Sequence, residues 1–195
     1  MAQPTSPPTR RRDAAATRKA ILESARLAFA RSGYDGAGVR EIAKGAGITA
    51  MLVNRYFGSK EQLFAEVVAE TMATTSVLAP EILKPNASGE AIAAALVGIT
   101  RLGEAPLEGF QIMLRSASSE RAAQIGREQI ERHHQRNITA ALSGDLAPQR
   151  AAVMLSLIAG FQLMRQVMGI SALAKAEPKT LVKVLGPLFD QLLAG

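Results

Sequence analysis

The sequence has no cysteine and only two histidines among its 195 residues. Without cysteine the chain cannot form a disulfide or a thiolate metal site, which excludes a zinc finger and fits a reducing compartment. A carboxylate-bridged di-metal bundle needs a Glu-x-x-His pair on each of two helices. The histidines, His133 and His134, supply one such pair with Glu131. We therefore expect no metal and no cofactor, and both histidines to be exposed or pocket-lining.

The chain also lacks a hydrophobic run long enough to span a membrane. Its longest nearly apolar stretch, residues 151–164, ends at Arg165, short of the roughly 18 to 20 residues that a membrane helix needs. The arginines near the N-terminus are not followed by the apolar segment of a secretory signal. These features predict a cytoplasmic protein with no membrane partner, in which residues 151–164 form a buried helix.

Positive charge is concentrated in the first third of the chain. Residues 1–60 contain 11 Lys and Arg against 4 Asp and Glu, whereas residues 61–195 contain 12 against 13. This asymmetry predicts a polyanion-binding head joined to a body with another task. Residues 1–12, rich in Pro and Arg, are predicted to form a disordered basic arm, either a solubilising tail or an arm that enters a DNA minor groove.

The hydrophobic pattern predicts an all-α fold, because no segment alternates with period two and no hairpin signal occurs. Four helices fit between residues 13 and about 75. Gly33 ends the first, Gly47 makes the turn after the short second one, Thr49 caps the third, and Ser59 with Gln62 forms a capping box for the fourth. Further helices are predicted over residues 88–103, 106–116, 118–144, 148–169 and from 178 onward, with a kink at Pro187.

The third helix predicts a nucleic-acid contact. Placing Val53 and Phe57 toward the core turns Met51, Asn54 and Arg55 outward, because successive helical residues are 100° apart. Two short helices around a glycine turn form a helix-turn-helix, whose second helix enters the major groove. Arg bonds guanine, Asn bonds adenine, and Met contacts the thymine methyl group. The alternatives are a solvated charged face, and packing of Met51 and Leu52 on the first helix or on a partner.

The stretch AFARSGYDGAGVREIAKGAGITAMLVNRYFGSKEQLF resembles the N-terminal domain of the TetR family of bacterial transcriptional repressors. The resemblance covers residues 17 to about 70 without gaps and includes the pairs Ile42-Ala43, Tyr56-Phe57 and Ser59-Lys60 together with Gly47. It implies phosphate contacts by Thr49, Tyr56 and Lys60. Together with the outward face of the third helix, it gives a predicted DNA-binding set of Arg40, Thr49, Ala50, Met51, Leu52, Asn54, Arg55, Tyr56 and Lys60.

The sequence departs from the family pattern in the helix-turn-helix. Gly38 stands where members often have a Ser or Thr cap, Met51 and Leu52 are larger than the usual residues, and Asn54 replaces a frequent Tyr. The operator sequence therefore cannot be transferred from a relative. The implied domains are residues 1–12 as the arm, 13–60 as the helix-turn-helix domain with a connecting helix over 60–75, and 76–195 as a helical effector-binding and dimerisation domain.

For the C-terminal domain, the resemblance implies a homodimer that is released from a palindromic operator by a small apolar effector. The candidate pocket comprises His134 and six apolar residues at helical spacings, which equally suit an ordinary core: Phe110, Met113, Leu114, Phe161, Met164 and Met168. Apolar stripes on the last two long helices give the candidate dimer interface: Val153, Leu157, Leu181, Leu185, Leu188 and Leu192.

Two alternatives remain open for the body of the protein. The C-terminal domain could serve dimerisation alone, without control by a ligand. In a different class, the chain could be a small all-α ligand carrier or enzyme. The sequence offers no cysteine and no nucleophile-base motif, so we expect no catalytic residues and no enzymatic activity.

Overall fold

The computed structural model describes residues 9–74, 83, 87–101 and 107–194. Within these ranges the chain is helical and contains no strand, as predicted. The helices are α1 (Thr9–Gly36), α2 (Val39–Gly45), α3 (Ala50–Phe57), α4 (Lys60–Thr74), α5 (Gly89–Ile99), α6 (Glu108–Ser116), α7 (Glu120–Ile130), α8 (Arg136–Ala141), α9 (Ala147–Gln162), α10 (Ser171–Ala174) and α11 (Pro178–Ala194). Two π-helical turns, Glu131–Gln135 and Leu163–Val167, follow α7 and α9.

Most predicted helices occur close to their expected bounds, with three differences. Helix α1 begins at Thr9 rather than at residue 13, because arginine is a good helix former. Residues 1–8 of the predicted arm lie outside the described residues. The short helix α10 was not predicted, and each of the two longest predicted C-terminal helices contains a π-helical turn. No described helix is long and apolar enough to cross a membrane.

The chain forms two compact units. The N-terminal unit comprises Met1–Val68 and Ile112–Gly126, and the C-terminal unit comprises Ala69–Gln111 and Arg127–Gly195. Residues 112–126 therefore pack with the helix-turn-helix, whereas the sequence pattern assigns them to the C-terminal domain. Three hydrogen bonds explain this: Arg115 Nη1 donates to Ala30 O, Tyr34 N donates to Ser116 Oγ over 2.9 Å, and Ser119 Oγ donates to Asp35 Oδ1 over 3.2 Å.

The core of the N-terminal unit is organised around three aromatic rings. The Phe64 ring lies edge-on to those of Phe29 and Tyr34, with centroids 5.0 Å apart in both pairs. Gly33 has a φ of 67°, and a Cβ there would collide with Arg115 O. This position allows only glycine, since L-residues are strained at such a φ. The predicted end of the first helical run at Gly33 thus corresponds to a kink, after which α1 continues to Gly36.

In the C-terminal unit, α5 and α11 pack closely through small residues. Gly89 N donates to Asp190 Oδ1 over 2.6 Å, and a Cβ on Gly89 would meet the backbone at Gly186 and Asp190. Ser88 caps α5, because its Oγ accepts from Ala91 N over 3.2 Å. The buried cluster of this unit comprises Leu83, Ile92, Ala93, Leu96, Val97, Ile138, Leu142, Ala151, Met154, Ile158, Phe161, Leu181, Leu185 and Phe189.

Candidate nucleic-acid interface

The turn between α2 and α3 has the geometry of a helix-turn-helix. Gly47 has a φ of 68°, in the left-handed region that favours glycine. Gly47 N donates to Lys44 O over 3.1 Å, and Ile48 N donates to Ala43 O over 3.0 Å. The carbonyls at the end of α2 are thereby satisfied, and the chain reverses within a few residues. The glycine turn predicted from the sequence is confirmed.

Helix α2 is held to the body of the unit by its buried face. Ile42 and Ala43 are buried, and Ser24 Oγ on α1 donates to Ile42 O over 2.8 Å. Gly38 at the N-cap has no side chain to bond the first turn. The packing of Ile42 and Ala43 and the bond from Ser24 therefore fix α2 in the absence of a side-chain cap. Arg40, in its first turn, is exposed.

Helix α3 presents its outward face as predicted. Val53 and Phe57 are buried, and the Arg18 guanidinium lies 4.9 Å from the centre of the Phe57 ring. On the opposite face Met51 is 77% exposed, and Asn54 and Arg55 are exposed as well. The Met51 side chain is therefore available to contact a partner molecule. Met51 does not pack on α1, which removes that alternative for this residue.

The remaining predicted DNA contacts surround this face. Thr49 is exposed at the N-cap of α3, but its side chain makes no cap bond. The expectation that Thr49 caps α3 through its hydroxyl is wrong for this structure, and the hydroxyl is left free for another acceptor or donor. Ala50, Leu52 and Tyr56 are half-buried, so each exposes part of its side chain beside the outward face.

Lys60 lies at the first position of α4. Ser59 Oγ accepts from Gln62 N over 3.2 Å, which is one half of the predicted capping box. The Lys60 Nζ lies 4.6 Å from the centre of the Tyr34 ring, a distance that allows a cation–π contact. Burial, reinforced by the Glu61 carboxylate, raises the pKa of Tyr34, so its hydroxyl stays protonated. Lys60 is thus positioned by Tyr34 at a helix N-terminus, where anions bind favourably.

The arginines of this unit differ in whether they form ion pairs. Arg18 pairs with Glu66, and Arg31 pairs with Glu41. Within the described residues, Arg40 and Arg55 form no ion pair. The exposed guanidinium groups of Arg40 on α2 and Arg55 on α3 are thus uncompensated, so they attract an anion and offer hydrogen-bond donors.

The candidate effector pocket is not brought together as predicted. Met113 and Leu114 belong to the N-terminal unit, because α6 packs there from Ile112 onward and the Met113 side chain lies against Gly126. In the C-terminal unit, Met164 and Met168 are exposed. Phe110 and His134 are half-buried, and Phe161 is buried in the core. The prediction that all seven residues line one pocket within the C-terminal helices is therefore wrong, because Met113 and Leu114 lie in the N-terminal unit.

His134 lies in the first π-helical turn. Burial, with a smaller contribution from His133, lowers the pKa of His134, so its imidazole is neutral at pH 7. The described residues contain no group of three or more His, Cys, Asp or Glu that could hold a metal ion. A surface groove of about 710 Å³ lies between α5 and α11, and its lining includes none of the candidate pocket residues.

The candidate dimer interface divides into buried and exposed residues. Leu181 and Leu185 are buried in the core of the C-terminal unit, where they belong to a cluster that also contains residues of α5, α8 and α9. They are unavailable to a partner, and their assignment to the interface is corrected. Leu157 and Leu192 pack partly against the same core. Val153 and Leu188 are exposed and remain candidates.

The sequence pattern did not reveal a polar cluster in the C-terminal unit. Gln162 and Arg165 are buried, although the apolar stretch of the predicted helix over 148–169 ends at Arg165. The signal that could have found the cluster is the spacing: Gln162, Arg165 and Gln166 are three and four residues apart, on one helical face. A polar group on one face of an otherwise apolar helix usually marks the solvent-exposed face, so the spacing identifies the group but not its burial.

The described geometry defines a helix-turn-helix protein with a separate helical unit. Residues 21–67 match the family model described as "Bacterial regulatory proteins, tetR family". Residues 86–193 match the model described as "Tetracyclin repressor-like, C-terminal domain". The second match covers more than half of the chain, and the chain belongs to the TetR family.

Similar proteins agree with this assignment. The chain is 40% identical over 57 residues to the HTH-type transcriptional repressor AcnR of Corynebacterium efficiens, covering 29% of this chain and 30% of that protein. It is 38% identical over 69 residues to a second HTH-type transcriptional repressor, from Streptomyces coelicolor, covering 35% of this chain and 36% of that protein. The match thus spans about a third of each relative. These relatives are regulators rather than enzymes.

Solved structures share the fold. The NalD repressor of a multidrug efflux pump in Pseudomonas aeruginosa has a TM-score of 0.63 at 18% identity, covering 93% of this chain and 97% of NalD. A TetR-family regulator from Streptomyces coelicolor has a TM-score of 0.58 at 22% identity, covering 98% of this chain and 99% of that one. At such identities the likeness establishes the fold alone.

Proposed function

We propose that this protein is a transcriptional repressor that binds a palindromic operator as a homodimer and is released from it by a small-molecule ligand. The outward face of α3 carries this proposal: Met51 is 77% exposed, and it lies beside the exposed side chains of Asn54 and Arg55. A helix of two turns fits a major groove. There Arg and Asn side chains can hydrogen-bond base edges, and the Met side chain can contact a thymine methyl group. A repressor that binds a chromosomal operator acts in the cytoplasm.

An apolar face on two helices supports the homodimer. On α11, Val184 is 62% exposed and Leu188 is 44% exposed. On α9, which packs against α11, Val153 is exposed beside the exposed small residues Ala152 and Ser156. Small residues let two helices approach closely, and two such helices from each subunit make a four-helix interface. A second copy of the chain would remove these apolar groups from water.

A ligand could release the dimer from its operator by changing the distance between the two recognition helices. A dimer occupies two half-sites only when its recognition helices lie about 34 to 36 Å apart. A ligand that binds more tightly to a differently spaced conformation shifts the population toward it and lowers operator affinity. The alternative, a C-terminal domain that serves dimerisation without ligand control, predicts that no small molecule changes operator affinity.

Salt dependence tests the DNA-binding function. Affinity for random duplex DNA should fall steeply as salt rises, because binding to each phosphate releases counterions. Lys60→Ala should weaken specific and random DNA binding alike, and lower the log-log salt slope of the dimer by about one unit for each phosphate that the lysine neutralises. Fluorescence anisotropy with a labelled duplex between about 0.05 and 0.3 M salt measures both quantities.

A matched control is Lys175→Ala, an exposed lysine after α10 in the C-terminal unit. It removes the same charge and should leave the slope unchanged. Circular dichroism should detect little change in either variant. Lys60 would lose its assigned role if the affinity of Lys60→Ala stayed within about twofold of wild type near 0.1 M salt, and a flat salt profile for the wild type would favour a ligand carrier.

A further inference from the structure

The C-terminal unit contains a buried arginine without a carboxylate partner. Arg165, in the second π-helical turn, is 3% exposed. None of the described ion pairs involves it. A buried charge is unfavourable unless it is paired and fully hydrogen-bonded. Burial lowers the pKa of Arg165, but arginine titrates at such high pH that the guanidinium stays charged in neutral solution.

One edge of the guanidinium is used by the fold. Arg165 Nη1 donates to Val97 O and to Thr100 Oγ1, both over 2.9 Å. Thr100 is fully buried and donates its own hydroxyl to Leu96 O over 2.7 Å. These contacts join the second π-helical turn to the C-terminal end of α5, where a cation is favourable. They fix the direction of the guanidinium plane.

The other edge of the guanidinium has no partner. Arg165 Nε is buried and makes no hydrogen bond with any described residue. Nε and the adjacent Nη form the side-on edge to which a carboxylate binds with two parallel hydrogen bonds. The Phe161 ring centre lies 5.7 Å from the guanidinium carbon, so an aromatic ring of the core lies next to the charge.

Neighbouring glutamines are also unsatisfied. Gln162 is 4% exposed, and its Nε2 has no partner among the described residues. Both polar atoms of the Gln166 amide are buried and unpartnered there too. Native proteins satisfy nearly all buried polar atoms, so a group of exceptions needs an explanation. These residues lie within one turn of Arg165, in or next to a π-helical turn, a feature frequent at functional sites.

We propose that Arg165, Gln162 and Gln166 bind the carboxylate of a small organic acid with an apolar body. The acid takes the free Nε edge of Arg165, and the glutamine amides bond its oxygens. The apolar part lies against Phe161 and the surrounding core. This inference rests on the proposed function, since it assigns a chemical class to the ligand that releases the operator, and it replaces a purely apolar effector with an amphiphilic one.

Paired ligands test this site on the full-length protein. Benzoate, phenylacetate and hexanoate are titrated by calorimetry against benzamide, phenylacetamide and hexanamide, which keep the apolar body but carry no charge. We expect at least one acid to bind, and its amide to bind roughly 10- to 100-fold more weakly. Inorganic phosphate is the third arm, and it should bind more weakly than that acid because it has no apolar body.

Two variants assign the binding to Arg165. Arg165→Lys keeps a charge but has no planar two-donor edge, and should bind that acid about tenfold more weakly or worse. Arg165→Met should abolish binding. Arg136→Met, which removes an exposed arginine of α8, should bind like the wild type. If Arg165→Met does not fold, the acid-amide comparison on the wild type and the Arg165→Lys variant decide the question.

Several results would overturn this proposal: no acid binds the wild type, amides or phosphate bind as tightly as the acids, or Arg165→Lys binds like the wild type. If the Arg165 variants are less stable and the wild type binds no acid, Arg165 serves only to cap α5. DNA binding by the ligand-free protein is measured separately. A protein that binds acids through Arg165 but binds no DNA would retain this site and lose the proposed function.

Discussion

Val184→Glu combined with Leu188→Glu should convert the protein to a monomer and lower operator affinity by about 100-fold or more, since linked half-site binding raises avidity by roughly 10² to 10⁴. Both residues are exposed on α11, so the substitutions leave the subunit core intact. In a dimer they would place four carboxylates in an apolar seam without partners, which is strongly unfavourable. Sedimentation velocity and anisotropy with operator DNA measure the two effects.

The control for this experiment places two glutamates elsewhere on the same unit. Ala140→Glu with Ser143→Glu changes the net charge equally at positions outside the core and should leave the dimer and operator affinity unchanged. Leu185→Glu is unsuitable, because Leu185 is buried in the core and the substitution would unfold the unit. An intact dimer in the Val184 and Leu188 double variant would move the interface elsewhere.

Arg55→Ala and Asn54→Ala should each reduce discrimination at one base pair of each half-site by about 1 to 3 kcal/mol, because a bidentate bond to a base edge contributes that much. A symmetric dimer makes this interaction in both half-sites, so operator affinity should fall by roughly 2 to 6 kcal/mol. Affinity for random duplex DNA should change far less. Competition binding with operators substituted at each base pair measures the pattern.

The matched control for Arg55→Ala is Arg127→Ala, which removes an exposed arginine of α7 in the C-terminal unit. Specificity and affinity should be unchanged. A decrease that is uniform over all substituted operators would show that the tested residue touches the DNA backbone and does not read a base. Because Val53 and Phe57 hold α3 in place, neither alanine variant should affect folding.

The N-terminal helices could be predicted because their signals are local. Gly47 marks the turn, Ser59 with Gln62 marks the start of α4, and the spacing of Val53 and Phe57 sets which face of α3 is outward. Each of these depends on residues a few positions apart. The structure has the turn at Gly47, the bond from Gln62 N to Ser59 Oγ and the buried face of α3 as expected. Met51 is exposed because its helical position turns it away from that buried face.

The C-terminal unit was less predictable because its contacts are distant in sequence. Leu181, Leu185 and Leu188 follow one helical stripe, yet the first two are buried in the core and the third is exposed to solvent. Periodicity identifies an apolar face but not the element that covers it. The packing of residues 112–126 with α1 depends likewise on hydrogen bonds between residues more than 80 positions apart.

The most direct test of the central claim is selection of bound sequences from a pool of random duplex DNA with the full-length protein. The account predicts enriched sites with two inverted half-sites whose centres lie about 10 to 10.5 base pairs apart, or a multiple of that spacing. Each site should be bound by one dimer, as mass measurement of the complex would show. Enrichment of single half-sites bound by a monomer, or no enrichment over the starting pool, would contradict it.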